Sequence, residues 1–87
     1  MTAKPEEGHG EKVAYVLIKT KVGKEKEVLS QLKRAGCVGE ASLLLGGYYD
    51  ILMKVSYRTQ KDLKDTVAYS IRGNDDVVST LTMISLD

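Results

Sequence analysis

The stretch Cys37–Tyr57, CVGEASLLLGGYYDILMKVSY, decides how this chain folds. It holds two apolar-rich runs, Cys37–Leu45 and Tyr48–Tyr57, that meet at Gly46-Gly47. A glycine pair takes positive φ at both positions with little steric cost, so the pattern predicts two strands in an antiparallel hairpin turning at the glycines. In the second run Tyr49, Ile51, Met53, Val55 and Tyr57 fall on one face. Asp50, Leu52, Lys54 and Ser56 fall on the other.

A strand and a helix precede the hairpin, and a helix and a strand follow it. On the N-terminal side, Lys24–Ala35 (KEKEVLSQLKRA) sets Val28, Leu29, Leu32 and Ala35 on one helical stripe, with Lys and Glu opposite. The run Lys24-Glu25-Lys26-Glu27 reads as a solvated face, and Gly36 suits the helix end. Before it, Val13–Lys21 (VAYVLIKTK) reads as a strand that is apolar on both faces and broken at Val22-Gly23. On the C-terminal side, Thr59–Arg72 (TQKDLKDTVAYSIR) predicts a second helix. Thr59 caps it, Asp62 occupies the third helical position, and Leu63, Val67 and Ile71 recur every four residues. Gly73–Asp76 is a turn and Val77–Leu86 a last strand.

The order β-α-β-β-α-β is the ferredoxin-like plan of an α+β fold: a four-stranded antiparallel sheet with two helices on one face. Met1–Lys12 carries no period and reads as a mobile tail, leaving residues 13–87 as one domain. At 87 residues and 9.6 kDa such a chain buries only about 60–65% of its unfolded surface. The strands are apolar on both faces while the helices cover one, so the open face is expected to be an association surface.

Composition removes several functions. A net charge of +1, from 13 basic and 12 acidic residues, provides no basic stripe for nucleic acid. Tyr15 and Tyr49 could stack on bases, but no Phe and no basic interleaving accompany them. No apolar run approaches the roughly 18 residues that span a bilayer. A single Cys excludes an internal disulfide and fits a reducing, cytoplasmic compartment. Cys37 and His9 are the only residues of their kinds, and His9 lies in the tail. No catalytic set, metal site or CxxC pair is therefore expected, and Cys37 reads as structural. Gly46-Gly47 is too short for a P-loop, and Thr20–Lys24 lacks the Arg of an anion-binding loop.

One constellation remains, Gly46-Gly47-Tyr48-Tyr49-Asp50. Glycine N–H groups can hold a carboxylate, and Asp50 can receive an ammonium group, the two partners a free amino acid needs. The alternative is a hairpin whose Asp bonds nearby backbone amides.

These residues, taken in order, resemble the effector-binding (RAM) domain of the leucine-responsive/AsnC (feast–famine) transcription regulators. The opening VAYVLIKTKVGKEKEVLSQL is similar to the family's first strand, turn and helix. Gly47-Tyr48-Tyr49-Asp50-Ile51-Leu52 resembles its G-x-Y-D-apolar-apolar hairpin, with Gly46 or Gly47 standing for the motif glycine. Ser70-Ile71-Arg72 and Val77–Ile84, with Thr80 and Thr82, resemble its second helix end and last strand. The Asp75-Asp76-Val77 turn departs from the family's usual Gly-Val.

The resemblance implies a non-enzymatic, amino-acid-sensing assembly domain, here without the DNA-binding half. It implies dimers packed sheet to sheet, assembly into rings such as octamers, and possible coassembly with full-length regulators. It implies an amino-acid effector between dimers, without a further cofactor, and makes Gly46, Gly47, Tyr49, Asp50, Thr80 and Thr82 candidate ligand contacts. The competing readings are a purely structural assembly protein and, behind it, a small dimeric ferredoxin-like enzyme.

Overall fold

The computed structural model describes residues 12–34 and 40–86. Along the chain run β1 (Lys12–Thr20), α1 (Glu25–Arg34), β2 (Glu40–Leu43), β3 (Ile51–Tyr57), α2 (Gln60–Asp65), a π-helical segment (Thr66–Ile71) and β4 (Val77–Ile84). The strands form one antiparallel sheet in the order β2-β3-β1-β4. This is the ferredoxin-like arrangement.

Strand β1 lies in the middle and sets the register. Ile18 stands opposite Ile51 on one side and Thr80 on the other; Val16 stands opposite Met53 and Thr82. Period-two alternation then sorts the side chains. Ala14, Val16 and Ile18 of β1 and Ile51, Met53 and Val55 of β3 are fully buried. They share one core with Val28 and Leu32 of α1, Leu63 of α2 and Ile71 of the π-helical segment. Both helices therefore cover the same face. On the opposite face Val13, Leu17 and Leu52 are half-buried, while Tyr15 is 38% exposed and Leu81 and Met83 are 44% exposed. The central strand β1 and the edge strand β4 together keep an apolar surface in water there.

Several boundaries differ from the sequence reading. Lys12 pairs with Tyr57 and belongs to β1 instead of the tail. Strand β4 stops at Ile84, and Leu86 beyond it is 96% exposed. The predicted two-residue hairpin is a wider loop. Strand β2 ends at Leu43, β3 starts at Ile51, and the Leu44 amide donates to the Asp50 carbonyl at 2.8 Å. Gly46 and Gly47 do take positive φ, 84° and 79°, but within this wider loop. On its other side the Asp50 amide donates to the Ile18 carbonyl of β1 at 2.8 Å, so this residue bridges β1 and the end of β2. The assignments on Met1–Glu11, including His9, and on Ala35–Gly39, including Gly36 and Cys37, fall outside the described residues.

The second helix starts as its sequence predicts: the Asp62 amide donates to Thr59 Oγ1 at 3.1 Å. It does not stay α-helical. From Thr66 the turns widen, and the Arg72 amide reaches back five residues to the Val67 carbonyl at 2.8 Å. Leu63 and Ile71 are nonetheless buried and Val67 packs against the core, because a four-residue spacing stays on one side under either winding. The exit is fixed by Asn74. Its Oδ1 accepts the Asp76 amide at 2.9 Å, and its Nδ2 donates to Gln31 Oε1 on α1 at 2.6 Å.

The end of the π-helical segment requires Gly73. A Cβ there would lie 2.6 Å from the Tyr69 carbonyl oxygen, a backbone atom that cannot swing aside. Gly73→Ala should lower the urea midpoint by the equivalent of about 1–3 kcal/mol. Gly23 presents the opposite case, with open space around its Cβ position but a φ of +83°. Gly23→Ala should cost about 1–2 kcal/mol through backbone strain alone. Equilibrium urea unfolding of both variants checks this; a neutral Gly73→Ala would contradict the contact.

Candidate functional site

The loop between β2 and β3 ends where β1 ends, and Asp50 ties the two together. Its carboxylate Oδ2 accepts the Thr20 amide at 2.9 Å and the Thr20 hydroxyl at 3.2 Å. Lys19 Nζ lies 3.5 Å from the same oxygen. Thr20 is buried, the one polar residue of the described core, so its amide and hydroxyl need a partner in place of water. Asp50 supplies it for both. These three contacts leave the second carboxylate oxygen, Oδ1, uncommitted to them.

The electrostatics follow from that geometry. The Thr20 amide holds the Asp50 carboxyl below its ordinary pKa. Partial burial opposes this, and the Thr20 hydroxyl and the Lys19 ammonium reinforce it. Asp50 is thus an anion at neutral pH. Two tyrosines stand beside it: the rings of Tyr48 and Tyr49 meet edge to face with centroids 5.0 Å apart. Lys19 Nζ sits 5.3 Å from the Tyr48 ring centroid. Tyr48 is 59% exposed and Leu45 wholly so, leaving the loop with an apolar tip in solvent.

The sequence candidates fall into two places. Gly46, Gly47, Tyr49 and Asp50 share the β2–β3 loop. Asp50 also lines a groove of about 300 Å³ with Gly23, Glu25 and Lys26 on the α1 side and Leu43 and Leu44 of the hairpin. Thr80 and Thr82 are half-buried on β4, across β1 from β3. Thr82 lines a separate groove of about 440 Å³ with Leu63, Val67, Ala68 and Arg72. Within one chain these two threonines do not join the loop. Lys19 and Thr20 were absent from the sequence candidates, since only β1–β3 pairing brings them to Asp50, thirty residues on. Among the described residues, no three His, Cys, Asp or Glu side chains gather as metal ligands, and no helix is long and apolar enough to cross a membrane.

The Asp50 contacts carry a pH signature. A carboxyl whose folded pKa is depressed adds stability that is full above its unfolded pKa, near 3.9, and is lost as pH falls through the lower folded value. Asp50→Asn should therefore be less stable than wild type by about 1–3 kcal/mol at neutral pH. The gap should hold down to about pH 5 and close in more acidic solution. Urea unfolding at stepped pH reads this directly; a gap independent of pH would refute the charged contact.

No protein-family model and no curated protein sequence matches the chain, whereas its fold matches solved structures throughout. FFRP-DM1 is 36% identical with a TM-score of 0.79, over 86% of this chain and 99% of that one. AsnC of E. coli is 25% identical with a TM-score of 0.81, over 99% of this chain and 60% of that one. A feast or famine regulatory protein from M. tuberculosis, complexed with L-methionine, has a TM-score of 0.75 over all of this chain and 58% of that one. At 20% identity it shares the fold. A structure of the Neisseria meningitidis transcriptional regulator NMB0573 in complex with L-Met, 13% identical, has a TM-score of 0.81 over all of this chain and 57% of that one, and likewise shares the fold. Strand order, the Gly-Tyr-Tyr-Asp loop and the relation to FFRP-DM1 agree: the chain belongs to the feast/famine (leucine-responsive/AsnC) regulator family and corresponds to its effector-binding domain.

Proposed function

We propose that this protein is an amino-acid-sensing assembly module of transcription regulation. The observation that carries the reading is Asp50, a carboxylate kept ionised at the mouth of a groove by a buried threonine. Such an anion offers a small zwitterion its ammonium partner. The positive-φ glycines of the same loop, Gly46 and Gly47, leave backbone N–H groups for a carboxylate. Tyr49 adds apolar surface beside them. Family relatives support the class of ligand: the M. tuberculosis regulator was crystallised with L-methionine.

Assembly completes the proposal. The open sheet face, with Tyr15, Leu81 and Met83, packs against that of a second copy. Dimers then join into a ring, an octamer being the expected size, with the effector between dimers. Thr80 and Thr82 lie on β4, away from the loop. They would reach the ligand from a neighbouring subunit. Full-length regulators of the same cell are the candidate partners, and the protein acts in the cytoplasm. Ligand control follows if the amino acid binds one assembly more tightly than another.

Thermal melts and titration calorimetry against the standard L-amino acids test the sensing reading. At least one amino acid should raise the wild-type melting temperature, and Asp50→Asn should weaken its binding about tenfold or more, as expected for loss of a charge-assisted contact. A folded, assembled protein that no amino acid stabilises would contradict the proposal.

A further inference from the structure

We infer that Lys19 is a built-in competitor for the ammonium site of Asp50, and that it sets both the affinity for amino acids and their selection over ligands without an ammonium group. The inference rests on the reading of Asp50 as the ammonium acceptor. Lys19 Nζ is itself a primary ammonium, 3.5 Å from Asp50 Oδ2 and 5.3 Å from the Tyr48 ring centroid. A carboxylate and an aromatic face are the two surfaces that attract the α-ammonium of an amino acid. The tethered lysine already occupies them, at the high effective concentration that linkage gives.

Positioning is not what Lys19 supplies. The Thr20 amide and hydroxyl already fix the Asp50 carboxylate, through two hydrogen bonds that do not involve Lys19. Nor is Lys19 locked in place. The pair is partly buried, its side chains 28% and 22% exposed, but its 3.5 Å separation is longer than a charge-assisted hydrogen bond, so an incoming ammonium can take its place. An arriving amino acid therefore displaces one ammonium with another. The 2-oxo acid of the same side chain has no ammonium to place there and gains nothing from the exchange.

The test is calorimetry on the full chain, wild type against Lys19→Met and Lys19→Arg, with the standard L-amino acids and the 2-oxo acid of the tightest binder. Lys19→Met keeps the apolar stem and removes the charge. It should bind the amino acid about two- to fivefold more tightly, the range given by release of a screened ion pair. Lys19→Arg should stay near wild type, and the affinity for the 2-oxo acid should not rise. Unchanged or weaker amino-acid binding by Lys19→Met would overturn the inference while leaving the Asp50 reading standing, as would an equal gain for the 2-oxo acid. Absence of binding by any amino acid to all three proteins would overturn both.

Discussion

Strand β1 is held between β3 and β4, and its register fixes everything that matters for the site. With Ile18 opposite Ile51 and Thr80, alternate residues of β1 enter the helix-covered core and the others enter the open face. A slip of one residue would exchange the two sets. It would also pull Thr20 from Asp50, leaving a buried amide and hydroxyl unpaired. The central pairing thus couples the core, the β2–β3 loop and the open face in one constraint.

Much of this was legible in the sequence because it depends on period. The stripe of Val28 and Leu32 and the spacing of Leu63 and Ile71 specify burial, and these residues are buried; β1 reads as apolar on both faces, and the fold puts Ala14, Val16 and Ile18 on the helix-covered one. The Thr59 cap was legible for the same local reason. What escaped depends on distant partners or on degenerate patterns. Gly46-Gly47 signals a tight hairpin, but the last bond between the two strands joins Leu44 to Asp50, which leaves residues 45–49 in the loop. The π-helical segment escaped because a spacing of four residues does not separate it from an α-helix. Thr80 and Thr82 were matched by motif, and a motif does not say that β4 lies across β1 from the loop.

The site is best understood as a loop anchored from below. Buried Thr20 holds Asp50, Asp50 holds the loop to β1, and the exposed tip carries Leu45 and Tyr48. Burial of Thr20 thus secures the anchor, while the tip remains in solvent. The proposed amino-acid sensing would use both, the ligand entering from solution beside an anchored carboxylate. The extent of the likeness fits that role: this chain spans nearly all of FFRP-DM1 and three fifths of E. coli AsnC.

The open face of the sheet asks for a second copy. Apolar residues of β1 and β4 are left in water by one copy of the chain, and a second copy is the proposed cover. Light scattering coupled to size exclusion measures this without a ligand, a variant or a partner. The mass should be an even multiple of the 9.6 kDa chain and should persist on dilution. A single species at 9.6 kDa, folded and stable, would contradict it.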